Sequence, residues 1–186
     1  MRNFFLIILS AFCSLSSVAG QSATIFEFND GQVAFTSDAP LELIEAQSTA
    51  LRGLIDTEKR TFAFSILISS FEGFNNPLQR EHFKENYMES SQFSTATFLG
   101  KIIEPVDLSQ DGDYIVRAKG KLTIHGVEQE RIIKSSVKVL DGVLDIRSSF
   151  TVLLREHDID IPRIVFQKIA EEIRVELTGR MKVRGL

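Results

Sequence analysis

Tryptophan is absent from this 186-residue chain, and its single cysteine, Cys13, lies in an apolar N-terminal stretch. An internal disulfide is therefore excluded, as is a thiol nucleophile anywhere downstream of that stretch. Lysine and arginine are outnumbered, 21 against 25 aspartates and glutamates. With no basic cluster, this balance argues against a nucleic-acid binder and against adhesion to anionic lipid surfaces. Histidine is scarce. His82, His125 and His157 stand far apart, and none has the i, i+4 spacing of a helical zinc pair. The chain also lacks a Gly-rich phosphate loop, a nucleophile elbow, a linker, a repeat and any low-complexity tract.

Long apolar runs are missing as well. Phe4–Phe12 (FFLIILSAF) is too short to span a bilayer. Preceded by Arg2 and followed by the small residues Ser16-Ser17-Val18-Ala19-Gly20, it has the layout of a secretory signal peptide over residues 1–20. Cleavage is expected after Ala19 or Gly20. The bulky Phe12 argues against lipidation at Cys13. Residues 21–186 then form one domain, cysteine-free and carrying 20 basic against 25 acidic residues, a net charge of −5. The expected destination is the periplasm or the medium, with no membrane span left after cleavage.

What the chain does have is alternation. Tyr114, Val116, Ala118, Gly120, Leu122 and Ile124 share one parity, while Arg117, Lys119, Lys121, Thr123 and His125 share the other, broken only by Ile115. A two-residue period puts one set on an apolar sheet face and the other in water. The same pattern runs through Thr61–Ser69, Phe93–Ile103, Val127–Leu140, Leu144–Arg155 and Glu172–Val183. Nearer the N-terminus, Thr24–Phe28 and Gln32–Ser37 read as two strands joined by a turn at Asn29-Asp30-Gly31. Leu41–Ser48 and Leu51–Asp56 read as two more. Asp141-Gly142 marks a hairpin. One helix is expected, over Pro77–Tyr87, with Asn76 as N-cap, Gln79 closing a capping box, and Leu78, Phe83 and Tyr87 turned inward. A short turn is expected around Ile164–Lys168.

These elements predict an all-β protein of about eight antiparallel strands with one short helix near 77–87. Each strand is apolar on one face, and a single helix cannot cover so much apolar surface. The sheet is therefore expected to close into a barrel, with a sandwich as the competing architecture. The inward parities supply the candidate cavity-lining residues: Phe64, Ile66, Phe98, Gly100, Val116, Ala118, Gly120, Leu122, Ser135, Val137, Ile146, Ser148, Phe150, Val152, Val175, Leu177 and Gly179. Small residues among large ones fit two outcomes, a packed core or an apolar channel, and an eight-stranded barrel is about the size at which either forms.

Chemistry is sparse. His125, before Gly126 at a strand end, suits a solvated or capping role. His157-Asp158-Ile159-Asp160 offers possible metal donors, but such a stretch is more commonly a polar turn. No catalytic residue, metal or cofactor is assigned. Three functions stay open: a binding protein for a long apolar ligand, a packed module acting through its surface, and a cavity enzyme using His82 or His157. Monomer and homodimer are both compatible with the sequence.

Two motifs are specific. Gly120-Lys121-Leu122-Thr123-Ile124-His125-Gly126-Val127 resembles the central signature of the YceI-like family, exported bacterial proteins named for polyisoprenoid binding. Arg80-Glu81-His82-Phe83 and Gln92–Phe98 (QFSTATF) resemble that family's helix-to-strand region. The resemblance implies a lipocalin-like antiparallel barrel, closed at one end, whose long cavity holds a polyisoprenoid or other long-chain lipid in a carrier or sequestering role. Three positions depart from the pattern. Ser94 stands where a proline is common, and Glu128 and Glu130 replace the usual Thr and Pro after the His-Gly pair. Residues 24–48 also lack a histidine-bearing pattern, so no head-group contacts are carried over.

Overall fold

A computed structural model describes residues 24–185. The expected signal segment and Cys13 lie outside the described residues. Eight strands follow in chain order: β1 (Ile25–Asp38), β2 (Leu43–Asp56), β3 (Thr61–Leu67), β4 (Thr95–Ile102), β5 (Gly112–Ile124), β6 (Val127–Leu140), β7 (Val143–Leu153) and β8 (Glu172–Val183). Each pairs antiparallel with its sequence neighbour, and β1 pairs with β8, so the sheet closes into a barrel. A sandwich is excluded. The alternation of the central strand is realised: Val116, Ala118 and Leu122 are buried, whereas Arg117, Lys119 and Lys121 face solvent.

One expected turn and one expected strand break are bulges instead. Asn29-Asp30-Gly31 lies within the continuous β1, whose register against β2 slips on either side of Gly31. The break expected between Ser48 and Leu51 lies within β2, where the Ala50 N–H donates to Ser48 Oγ at 3.1 Å. At both places the buried parity flips, from Phe26 and Phe28 to Val33, and from Ile44 and Ala46 to Leu51 and Ile55. A bulge adds one residue and turns the next side chain to the other face without ending the ladder. Gly31 does not supply a positive φ. It leaves room for the Phe28 ring, which a Cβ there would meet at 2.5 Å.

The two-residue hairpins have left-handed backbone. His125 and Gly126 adopt φ of 51° and 74° between β5 and β6, and Asp141 and Gly142 adopt 51° and 71° between β6 and β7. These are the values a two-residue turn of matching twist requires.

Helix α1 (Pro77–His82) begins as expected, with Asn76 Oδ1 accepting from the Gln79 N–H at 2.9 Å. Gln79 Oε1 reaches back one residue further than a capping box, to the Asn75 N–H. The helix continues as a wider turn through Phe83–Tyr87. Leu78, expected to be buried, is 58% exposed. The inward ring is Phe83, which packs on Phe35, Phe71 and Phe74 with centroids 5.0–5.8 Å away. Phe71 and Phe74 come from the irregular segment between β3 and α1, so the helix is seated by aromatic contacts across one end of the barrel.

Candidate functional site

One end of the barrel is solid. Phe26, Leu108, Val139, Leu144 and Met181 are among the most deeply buried side chains, and they pack together at the start of β1 and β7 and the end of β6 and β8. Leu108 and Val106 come from the segment joining β4 to β5 and fold over this floor. Above it the interior opens into a cavity of about 460 Å³. Rings of Phe62, Phe64 and Phe98 form a contiguous patch of its wall, with centroids 4.8–5.8 Å apart. Of the expected lining residues, Phe64, Ile66, Phe98, Val116, Ala118, Leu122, Ser135, Val137, Ile146, Ser148, Phe150, Val152, Val175 and Leu177 all border this space.

Gly100, Gly120 and Gly179 do not. A Cβ on Gly100 would collide with the Lys119 carbonyl oxygen and stand 2.6 Å from the Gly120 Cα, and one on Gly120 would collide with the Leu99 carbonyl. These two glycines are paired across β4 and β5 and permit a close backbone approach. A Cβ on Gly179 would run into the Phe28 ring, which also covers Gly31 and Gly53. The three glycines belong to the construction of the wall.

Halfway up, the apolar lining is interrupted by Ser135 and Ser148, whose hydroxyls bond each other at 2.7 Å. Their pair is also the last rung between β6 and β7 on the way to the open end. Beyond it the strands part, and side chains bridge them. Arg131 donates to the Thr151 carbonyl at 2.6 Å and to Glu156 Oε2 at 3.0 Å, and Gln129 donates to the Glu156 carbonyl at 2.8 Å. Sequence reasoning missed this cluster. Its signal was present, because Gln129 and Arg131 sit on the inward parity of Ile133.

The open end is framed by α1 and by the loops 39–42 and 154–171. Glu42, Asn76, Gln79, His82 and Lys168 bring polar groups to the rim of the cavity. Glu42 Oε1 accepts from Gln79 Nε2 at 3.0 Å, joining loop to helix.

The signature histidine is a brace. His125 Nε2 lies 2.7 Å from Glu89 Oε2, its Nδ1 lies 3.1 Å from the His157 carbonyl, and the Phe93 ring stands edge-on at 4.6 Å. His157 is 1% exposed, and its Nδ1 faces the Val127 carbonyl at 3.1 Å. Burial holds its pKa below the ordinary 6.5, against the opposing pull of backbone acceptors and Glu156. The two rings thus tie the β5–β6 hairpin to the turns at 89–93 and 154–157. His157 is separate from the cavity lining, and the Asp158 and Asp160 side chains are exposed. The His157–Asp160 stretch therefore does not gather its donors, and no metal-binding group of three or more His, Cys, Asp or Glu occurs among the described residues. Glu128 and Glu130 point outward and pair with Lys121 and Lys119 at 2.7 and 2.8 Å.

A closed antiparallel barrel with a solid floor, a helix across its other end and an apolar hollow between them is a lipocalin-like fold. The YceI-like domain model matches residues 15–181, and the chain belongs to the YceI-like family. Among solved structures it is similar to a polyisoprenoid binding domain from Saccharophagus degradans implicated in plant cell wall breakdown, with a TM-score of 0.72 and 14% identity over 87% of this chain and 99% of that one. Burkholderia cenocepacia BcnA gives a TM-score of 0.67 and 14% identity over 82% and 96%. A Campylobacter jejuni YCEI protein gives 0.54 and 12% over 97% of each chain. At these identities the likeness is one of fold. No curated protein matches the sequence.

Proposed function

We propose that this protein is an exported, non-catalytic holder of a long apolar chain, with a polyisoprenoid tail as the favoured cargo, acting as a carrier or in sequestration. The observation that carries this reading is the cavity. About 460 Å³ of space is walled by Phe and aliphatic side chains and stopped by a floor. Such a hollow costs packing contacts and is readily offset by an apolar guest. The family model and the polyisoprenoid binding domain from Saccharophagus degradans support the same class of guest. The apolar leader at residues 4–12 supports export.

A cavity enzyme is less well supported, since His157 lies outside the lining. Native mass spectrometry of the protein purified gently from an exporting bacterial host, followed by organic extraction, tests the proposal. The expected result is an adduct that extracts as a prenyl-chain lipid. A clean apo mass that resists loading with long-chain isoprenoids overturns the reading in favour of a module acting through its surface.

A further inference from the structure

The open end carries an apolar crown. Ile164 is 91% exposed, Leu41 66%, Phe166 62% and Leu78 58%, more surface than a water-facing rim needs to show. Leu41 belongs to the β1–β2 loop, Leu78 to α1, and Ile164 and Phe166 to the loop between β7 and β8. The β7–β8 loop is stapled to the β1–β2 loop by the Leu41 N–H, which donates to the Gln167 carbonyl, and to the end of β1 by the Ala170 N–H, which donates to Ser37 Oγ, both at 2.9 Å. The exposed side chains therefore stand on a braced support.

Two further observations say what fits this surface. First, the crown is continuous with the cavity, because Leu78 and Val165, the residue between Ile164 and Phe166, both line it. A chain entering from an apolar phase pressed against the crown would pass these apolar side chains on its way into the cavity. Second, Arg163 and Lys168 bracket the tip Ile164-Val165-Phe166, and no acidic residue lies between Ile161 and Ala170. Apolar residues flanked by long cationic side chains match an interface in which hydrocarbon lies beneath phosphate. The acidic balance of the whole chain weighs against purely electrostatic adhesion, so apolar insertion supplies the attraction and the two cations set the depth.

We infer that the open end of the barrel docks on a phospholipid bilayer, with Ile164, Phe166 and Leu41 inserted among the head groups and the cavity mouth facing the membrane. The inference rests on the cavity reading for its purpose and on the crown for its geometry, so the two are tested separately. Flotation compares wild type with the Ile164→Ser, Phe166→Ser double variant, using vesicles of pure phosphatidylcholine and of phosphatidylcholine mixed with phosphatidylglycerol. Both side chains are exposed, so the fold is expected to survive the change. Loading with a prenyl alcohol delivered from detergent reports the cavity independently. Wild type is expected to float with both kinds of vesicle and the double variant to lose on the order of tenfold in partitioning, while detergent loading stays equal. Absence of wild-type flotation, or equal flotation of both proteins, overturns the docking. So does a crown-dependent dimer that does not float, which would assign the face to a second copy. Flotation without loading would support the docking and reject the cavity reading.

Discussion

Gly100 and Gly120 face each other across β4 and β5 so closely that neither has space for a Cβ. What a Cβ would strike is the backbone of the neighbouring strand, which cannot rotate away as a side chain can. Gly100→Ala is therefore expected to destabilise the barrel by about 3 kcal/mol, read as a lower urea midpoint. A midpoint equal to that of wild type would show that the strands have slack at this rung.

Ala118 lies two residues from Gly120 but faces the cavity. Ala118→Phe places a ring in open space and is expected to keep the fold while abolishing uptake of an apolar chain. The informative readout is the pair of measurements, thermal midpoint and loading. A loss of folding with the first would mean that the hollow is too tight to accept a ring.

Guest length provides a further check. The cavity, about 460 Å³ and stopped by a floor, has room for a limited number of isoprene units. Each unit contributes up to about 4 kcal/mol, from roughly 0.8 kcal/mol per buried methylene, less the cost of ordering the chain. Affinity is expected to rise steeply over the first few units and then level off as the tail fills the space. Titration with prenyl alcohols of graded length measures this, and a flat series would refute a single apolar tube.

His157 makes stability depend on pH with a definite sign. Its pKa is depressed in the folded protein, so the unfolded chain binds the proton more readily. Its contribution to stability is fully present above the ordinary 6.5 and falls as pH drops through the interval below that value. Urea midpoints measured between pH 7.5 and pH 5 are expected to decline in wild type and to flatten in His157→Gln. A wild-type midpoint independent of pH over that range would contradict the buried neutral ring.

The walls of the barrel were legible in the sequence because each strand is wet on one side only. Alternation alone identified Val116, Ala118, Leu122, Val137 and Ile146 as inward-facing. The same signal misled at residues 28–33 and 48–51, where a flip of parity reads identically for a turn and for a bulge. Small residues were ambiguous for a similar reason. Ala118 and Gly120 share a face, yet only the spacing of the neighbouring backbone separates a residue that borders a void from one that allows two strands to touch. The aromatic seat of α1 was invisible to periodicity, since Phe71 and Phe74 lie on irregular backbone and meet Phe83 and Phe35 only after the chain has folded.

The packed floor of Phe26, Leu108, Leu144 and Met181 also has a kinetic meaning. A tube sealed at one end has a single doorway, so a tail that slides in must back out along the same path. On the carrier reading, a donor and an acceptor would not engage opposite ends; they would take turns at one threshold. Such a device has no built-in direction. On the carrier reading proposed above, the direction a lipid travels would be decided by the relative hold of the compartments it visits, and the barrel would equilibrate between them without pumping.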